Sequence, residues 1–136
     1  MQYADEDVEA RRRLQSLAAQ GDADAQFELA ELLYDGRGGP KDEAEARRLF
    51  DLAAAQGHQD AQFSLGFMFV DGCGGPKDHA EARRLFELAA AHGNACAQWA
   101  LASMHEHGRG GPQDEVEARR LCGLAATQGY AIAQCT

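Results

Sequence analysis

Four cysteines, five histidines and a thin set of hydroxyls are the groups in this 136-residue chain that could be assembled into a reactive site. The cysteines are Cys73, Cys96, Cys122 and Cys135; the histidines are His58, His79, His92, His105 and His107. A structural zinc needs four such ligands converging on one point. His105 and His107 are two apart, which on a helix directs them about 200° from each other. His92 and Cys96 could approach across the break at Gly93, but no third or fourth ligand accompanies them. Nucleophilic chemistry fares no better. Ser16, Ser64 and Ser103 with Lys41 and Lys77 form no Ser-x-x-Lys, no Gly-x-Ser-x-Gly and no phosphate-cradling glycine loop with a following lysine. Loops such as Gly72-Cys73-Gly74-Gly75-Pro76 end in a proline, which removes an N–H where a phosphate would want one. No catalytic residue, metal or cofactor is expected.

The elements behind these residues announce themselves by repetition. Pro40, Pro76 and Pro112 are spaced 76 − 40 = 36 and 112 − 76 = 36 residues apart. The same step carries Gly21 to Gly57, Gly93 and Gly129, and Arg11-Arg12 to Arg47-Arg48, Arg83-Arg84 and Arg119-Arg120. Ala25-Gln26 likewise recurs as Ala61-Gln62, Ala97-Gln98 and Ala133-Gln134. A fixed period of this size means stacked units, each burying its apolar face on its neighbours. Within one unit, Ala46, Leu49, Phe50, Ala53 and Ala54 follow a one-faced helical pattern. Asp42 with Glu45, Asp78 with Glu81 and Asp114 with Glu117 have capping-box spacing, and Gly57 supplies a stop. Glu43 before Arg47, and Glu115 before Arg119, suggest surface pairs four residues apart, so each Arg-Arg pair reads as a solvated, self-neutralised face. A second helix type runs from about His58 to Asp71 with two apolar stripes, and no strand-like alternation appears.

These motifs, Ala-Gln-Phe-x-Leu-Gly at Ala61–Gly66, the loop Gly72–Asp78 and the helix Ala82–Gly93, resemble the Sel-one-like repeat, a cousin of the tetratricopeptide repeat. The resemblance implies an all-α, right-handed α/α superhelical solenoid of 36-residue helix-turn-helix repeats. It divides this single domain into a leading half repeat at 5–21, full repeats at 22–57, 58–93 and 94–129, and a truncated repeat at 130–136. Seven helices and a frayed eighth are expected. The valine usual before the loop proline is glycine here, at Gly39, Gly75 and Gly111. Some cysteine-rich secreted relatives bridge each helix pair at places that align with Ala54 and Gln62, and neither is cysteine here. The scattered thiols and a start that is no signal peptide favour the cytoplasm. Whether Cys122 and Cys135 pair stays open.

Function then follows from comparing the chain with itself, since slots that change between units are free to serve a partner. By similarity to tetratricopeptide arrays, the first-type helices line a concave face. Its rows are Asp24, Asp60, Cys96; Phe27, Phe63, Trp99; Glu31, Phe67, Ser103; and Tyr34, Val70, Glu106. The aromatic row reads as mainly structural, and the next two vary. The expected function is a non-enzymatic scaffold binding a protein or peptide segment at Phe67 and Val70. Tyr34 and Trp99 extend the patch, and Asp60, Asp71, Glu31 and Glu106 rim it, favouring a partner with basic and apolar side chains. Phe67 could instead simply pack on the next helix. Two rival readings are a penicillin-binding enzyme, as attributed to cysteine-rich relatives, and a fragment of a longer array with no private partner. A net charge of −9 repels phosphate backbones, and no apolar run nears the roughly 20 residues of a membrane span. The C-terminal end, where Leu121, Leu124 and Ala125 lack a polar cap, is expected to be weak or covered by self-association.

Overall fold

The computed structural model describes residues 2–129, and within them every regular element is an α-helix. These are α1 (Asp5–Ala19), α2 (Ala23–Asp35), α3 (Glu43–Ala55), α4 (Gln59–Asp71), α5 (His79–Ala91), α6 (Ala95–His107) and α7 (Glu115–Thr127). The expected eighth helix, the Cys122–Cys135 question and the C-terminal cover all involve residues outside this range. Each helix packs mainly on the one before and the one after it, as a solenoid requires. Even-numbered helices form one layer. His58 at the head of α4 donates Nε2–H to Asp24 of α2 at 3.1 Å, and Asn94 at the head of α6 donates to Asp60 of α4 at 3.2 Å.

Local chemistry explains the boundaries. Asp22, Asp42, His58, Asp78, Asn94 and Asp114 cap α2 to α7, each side chain accepting from the amide three residues on. His58 caps through Nδ1 while its ring stacks on Phe27 with centroids 4.6 Å apart, so this histidine is structural. Small alanines carry the closest approaches: Ala46, Ala53, Ala61, Ala82, Ala89 and Ala97 are wholly buried. Around them Leu49, Phe50, Leu65, Leu85 and Phe86 fill the interior.

The Arg-Arg pairs are not one solvated face. The second arginine of each full-repeat pair binds the acid three residues earlier, Arg48 to Glu45, Arg84 to Glu81 and Arg120 to Glu117. The first arginine does something else, and the expected surface pairs Glu43–Arg47 and Glu115–Arg119 do not form among the described residues. Arg11 is buried and reaches into the next repeat's loop. Its Nε donates to the Arg37 carbonyl at 3.1 Å, and its Nη2 to the carbonyls of Leu32 at 3.3 Å and Pro40 at 3.2 Å. Arg47 repeats this on the carbonyls of Cys73 at 3.0 Å and Pro76 at 2.8 Å, with its guanidinium 4.0 Å over the Phe69 ring. Arg83 takes Pro112 at 2.9 Å. The loop glycines make this clasp feasible. A Cβ on Gly75 would lie 2.6 Å from Arg47 Nη1, and one on Gly74 would lie 2.4 Å from the Glu43 carbonyl oxygen. Glycine at the slot where relatives carry valine is therefore the seat of the arginine.

A second cross-repeat series is built from glutamines. Gln26, Gln62 and Gln98 are buried and donate Nε2–H to the carbonyls of Ala18, Ala54 and Ala90. The positions that some relatives bridge with a disulfide, Ala54 and Gln62, are thus joined here by a 3.3 Å hydrogen bond. The free oxygen of each glutamine awaits a donor from the next repeat. Gln56 Nε2 supplies Gln26 Oε1 at 2.9 Å, and Gln128 Nε2 supplies Gln98 Oε1 at 2.8 Å. Between them the slot holds His92, and Gln62 Oε1 is left buried and unpaired. An unpaired buried acceptor is costly. His92→Gln is therefore expected to raise unfolding stability by about 0.5–1.5 kcal/mol, read as a shifted urea midpoint at unchanged slope.

The third clasp has a titratable member. Where α2 has Leu33 and α4 has Phe69, α6 has His105, whose Nδ1 accepts from Arg83 Nη2 at 2.6 Å. Burial pushes the imidazole below its ordinary value of 6.5, and the Arg83 charge adds to this, against opposition from Glu117, Asp114 and Glu87. A base with a lowered folded value stabilises the fold fully above its unfolded value. That contribution fades as pH falls from about 6.5 through the folded value. Stability is thus expected to decline below about pH 6.5, and His105→Leu should flatten this part of the profile. Denaturant midpoints of both proteins between pH 5 and 8 check it.

Candidate functional site

A cavity of about 210 Å³ opens between α2 and α4. Its floor is Phe50 of α3 with Phe63 and Met68 of α4, all core-facing or half-buried. His58 caps α4, and Phe63 and Phe67, one helical turn apart on it, line the cavity together with Glu31 and Tyr34 of α2. Phe67 meets Phe63 edge-on at 4.9 Å and Phe86 of α5 at 5.6 Å. Its side chain is half-buried, so packing on the next helix and lining the cavity are both true of it. Gly66 permits this arrangement, since a Cβ there would sit 2.5 Å from the Phe86 ring.

The rim is acidic. Glu31, Asp35 and Asp71 line it, and no lysine, arginine or histidine does. Glu31 is held above the ordinary carboxylate range, first by partial burial and then by its neighbours Asp35, Glu28 and Asp60, with Arg37 pulling the other way. On one side Tyr34 and Cys73 meet, hydroxyl to thiol, at 3.8 Å. That hydrogen bond is the main cause raising the Tyr34 hydroxyl above its ordinary 10. Lys41 Nζ stands 5.6 Å from the Tyr34 ring centroid, outside the cavity lining.

Of the residues expected to form a site, the cavity brings together Glu31, Tyr34, Phe67 and Asp71. Val70 and Trp99 are half-buried against the second part of the core, around Phe86 and Leu101. Asp60 is exposed and engaged with Asn94, and Glu106 is exposed on α6 with its carbonyl accepting from Gln113. None of these four lines the cavity. Sequence reasoning passed over Asp35 and Cys73. The signal was there for Cys73, because its loop slot holds Arg37 and Arg109 in the flanking repeats.

The arrangement offers apolar walls and carboxylates but no reactive set. Ser64 lines the cavity without a lysine or histidine beside it there. Among the described residues no group of three or more His, Cys, Asp or Glu side chains could hold a metal. Cys73 and Cys96 are free thiols. Among the described residues no helix is long and apolar enough to cross a membrane.

Comparison with known proteins gives a consistent picture. Residues 23–58, 59–94 and 97–130 each match the family model described as Sel1 repeat. A crystal structure of a Sel1 repeat protein from Oxalobacter formigenes superposes with a TM-score of 0.87 at 31% identity. The match covers 91% of this chain and 49% of that one. The crystal structure of c5321, a protective antigen present in uropathogenic Escherichia coli strains displaying an SLR fold, superposes with a TM-score of 0.69 at 27% identity. That match covers 90% of this chain and 34% of the antigen, so the chain spans about half and a third of these two neighbours. No curated protein matches the sequence significantly.

Proposed function

We propose that this chain, which belongs to the Sel1 repeat family, is a non-enzymatic scaffold holding a segment of a partner protein along the layer of α2, α4 and α6. Sel1 repeat proteins are generally protein-interaction scaffolds. The observation that carries the reading is the cavity between α2 and α4. It opens among slots that change from repeat to repeat, Glu31 to Phe67 to Ser103 and Tyr34 to Val70 to Glu106, while the arginine and glutamine slots that join the repeats recur. A surface free to vary on a scaffold held constant is the design of a recognition module. Phe67 and Tyr34 are its aromatic anchors, Glu31 and Asp71 its acidic rim, and Val70, Trp99, Asp60 and Glu106 its flanks toward α6.

A phage-displayed random dodecapeptide library panned on the protein tests this reading. Enriched peptides are expected to bind the wild type and to lose binding to Phe67→Ser, which installs the residue of the Ser103 slot. Because Phe67 is half-buried with two ring contacts, that change should cost about 1–2 kcal/mol and leave a folded protein. Equal binding to the variant would move the site elsewhere. Covalent labelling by a fluorescent penicillin would replace the scaffold by an enzyme.

A further inference from the structure

We infer that the cavity between α2 and α4 is a socket for one basic side chain, a lysine or arginine projecting from the bound segment. This deepens the proposed function and rests on it. Size speaks first: at about 210 Å³ the cavity falls below the roughly 300–1,000 Å³ of small-molecule sites, and suits a single long side chain. Its chemistry is split in the way such a side chain is split. Phe63, Phe67 and Met68 offer an apolar wall for the methylene stem, and Glu31, Asp35 and Asp71 stand at the rim for the charged head. The proton affinity of Glu31 is raised first by partial burial and then by Asp35, Glu28 and Asp60, and a bound cation opposes the second of these causes.

The neighbouring repeats show that the socket is particular to this junction. One period further on, Glu31 becomes Phe67, Asp71 becomes His107 and Cys73 becomes Arg109. Two of the three carboxylates are lost there and a cation is gained. At the first loop, the same slot holds Arg37, whose guanidinium binds Asp7 at 3.1 Å. Only the middle repeat has a small uncharged side chain at this slot, Cys73, and it lines the cavity. The socket's own loop thus offers no cation at the slot where the flanking loops have Arg37 and Arg109. A partner's lysine or arginine restores the charge balance.

The test uses fluorescein-labelled hexapeptides with one central residue varied in a constant Leu/Ala background, measured by anisotropy against the full chain. Arg and Lys peptides are expected to bind at least about tenfold more tightly than the norleucine peptide, and the Glu peptide not at all. The preference should shrink as salt rises. It should collapse to within about threefold in Glu31→Gln/Asp71→Asn, two exposed changes, and in Cys73→Arg, which supplies a cation from within. Circular dichroism melting checks that each variant is folded. Norleucine binding as tight as Arg, displaced by Phe67→Ser, would overturn the socket and keep the scaffold. Arg binding unchanged in all variants would place the charge recognition elsewhere. Absence of binding by any peptide would overturn both readings.

Discussion

The arginine clasp is the interaction on which the rest of this structure depends. A guanidinium taken out of water is expensive unless every available donor finds an acceptor. Arg11 answers much of that demand through Nε and Nη2 with three carbonyls, one of them, Leu32, in the electronegative last turn of α2. Arg47 does so with two carbonyls and the face of Phe69. Arg83, by contrast, keeps Nη1 buried without a partner. The loop carbonyls need the clasp as much as the arginine does, since a run of Gly-x-Gly-Gly-Pro has no side chains to satisfy its own backbone. Each clasp joins the second-type helix of one unit to the loop of the next, and so sets the stacking distance and the angle between successive units.

The joints use the odd-numbered helices, the loops and the buried side of α2, α4 and α6, so it is the other side of that layer that is left to vary. Its buried side carries alanines, leucines and the glutamine series, and its other side carries the changing slot of Glu31, Phe67 and Ser103. The cavity between α2 and α4 is one product of this freedom. A large residue at Phe67, a small one at Cys73 and acids at 31, 35 and 71 together make a lined recess, where the next junction has Ser103, Arg109 and, of the three acid slots, Asp71 alone.

The α/α architecture was legible because period, capping box and helical apolar stripe all agree over the length of the chain. The caps at Asp42, Asp78 and Asp114 followed from capping-box spacing. The role of the Arg-Arg pairs was not legible. An acid lies three or four residues upstream of an arginine in each pair, and helical spacing alone cannot say that the first arginine turns away toward a loop 26 to 29 residues distant. The glycines opposite those arginines were the hint, since they leave room for a guanidinium. Four of the eight expected site residues share the cavity because helix faces are periodic. The other four do not, because curvature and helix crossing decide which faces of adjacent units converge.

The central claim is that the clasp holds successive repeats in the geometry that creates the recognition layer. Hydrogen exchange read by mass spectrometry on Arg47→Met tests it most directly, since methionine keeps the stem and removes the donors. The expected result is at least about tenfold faster exchange in the loop 72–78 and the last turn of α4, with α1 and α2 retaining their protection. Exchange unchanged in that loop, or accelerated equally along the whole chain, would contradict the account.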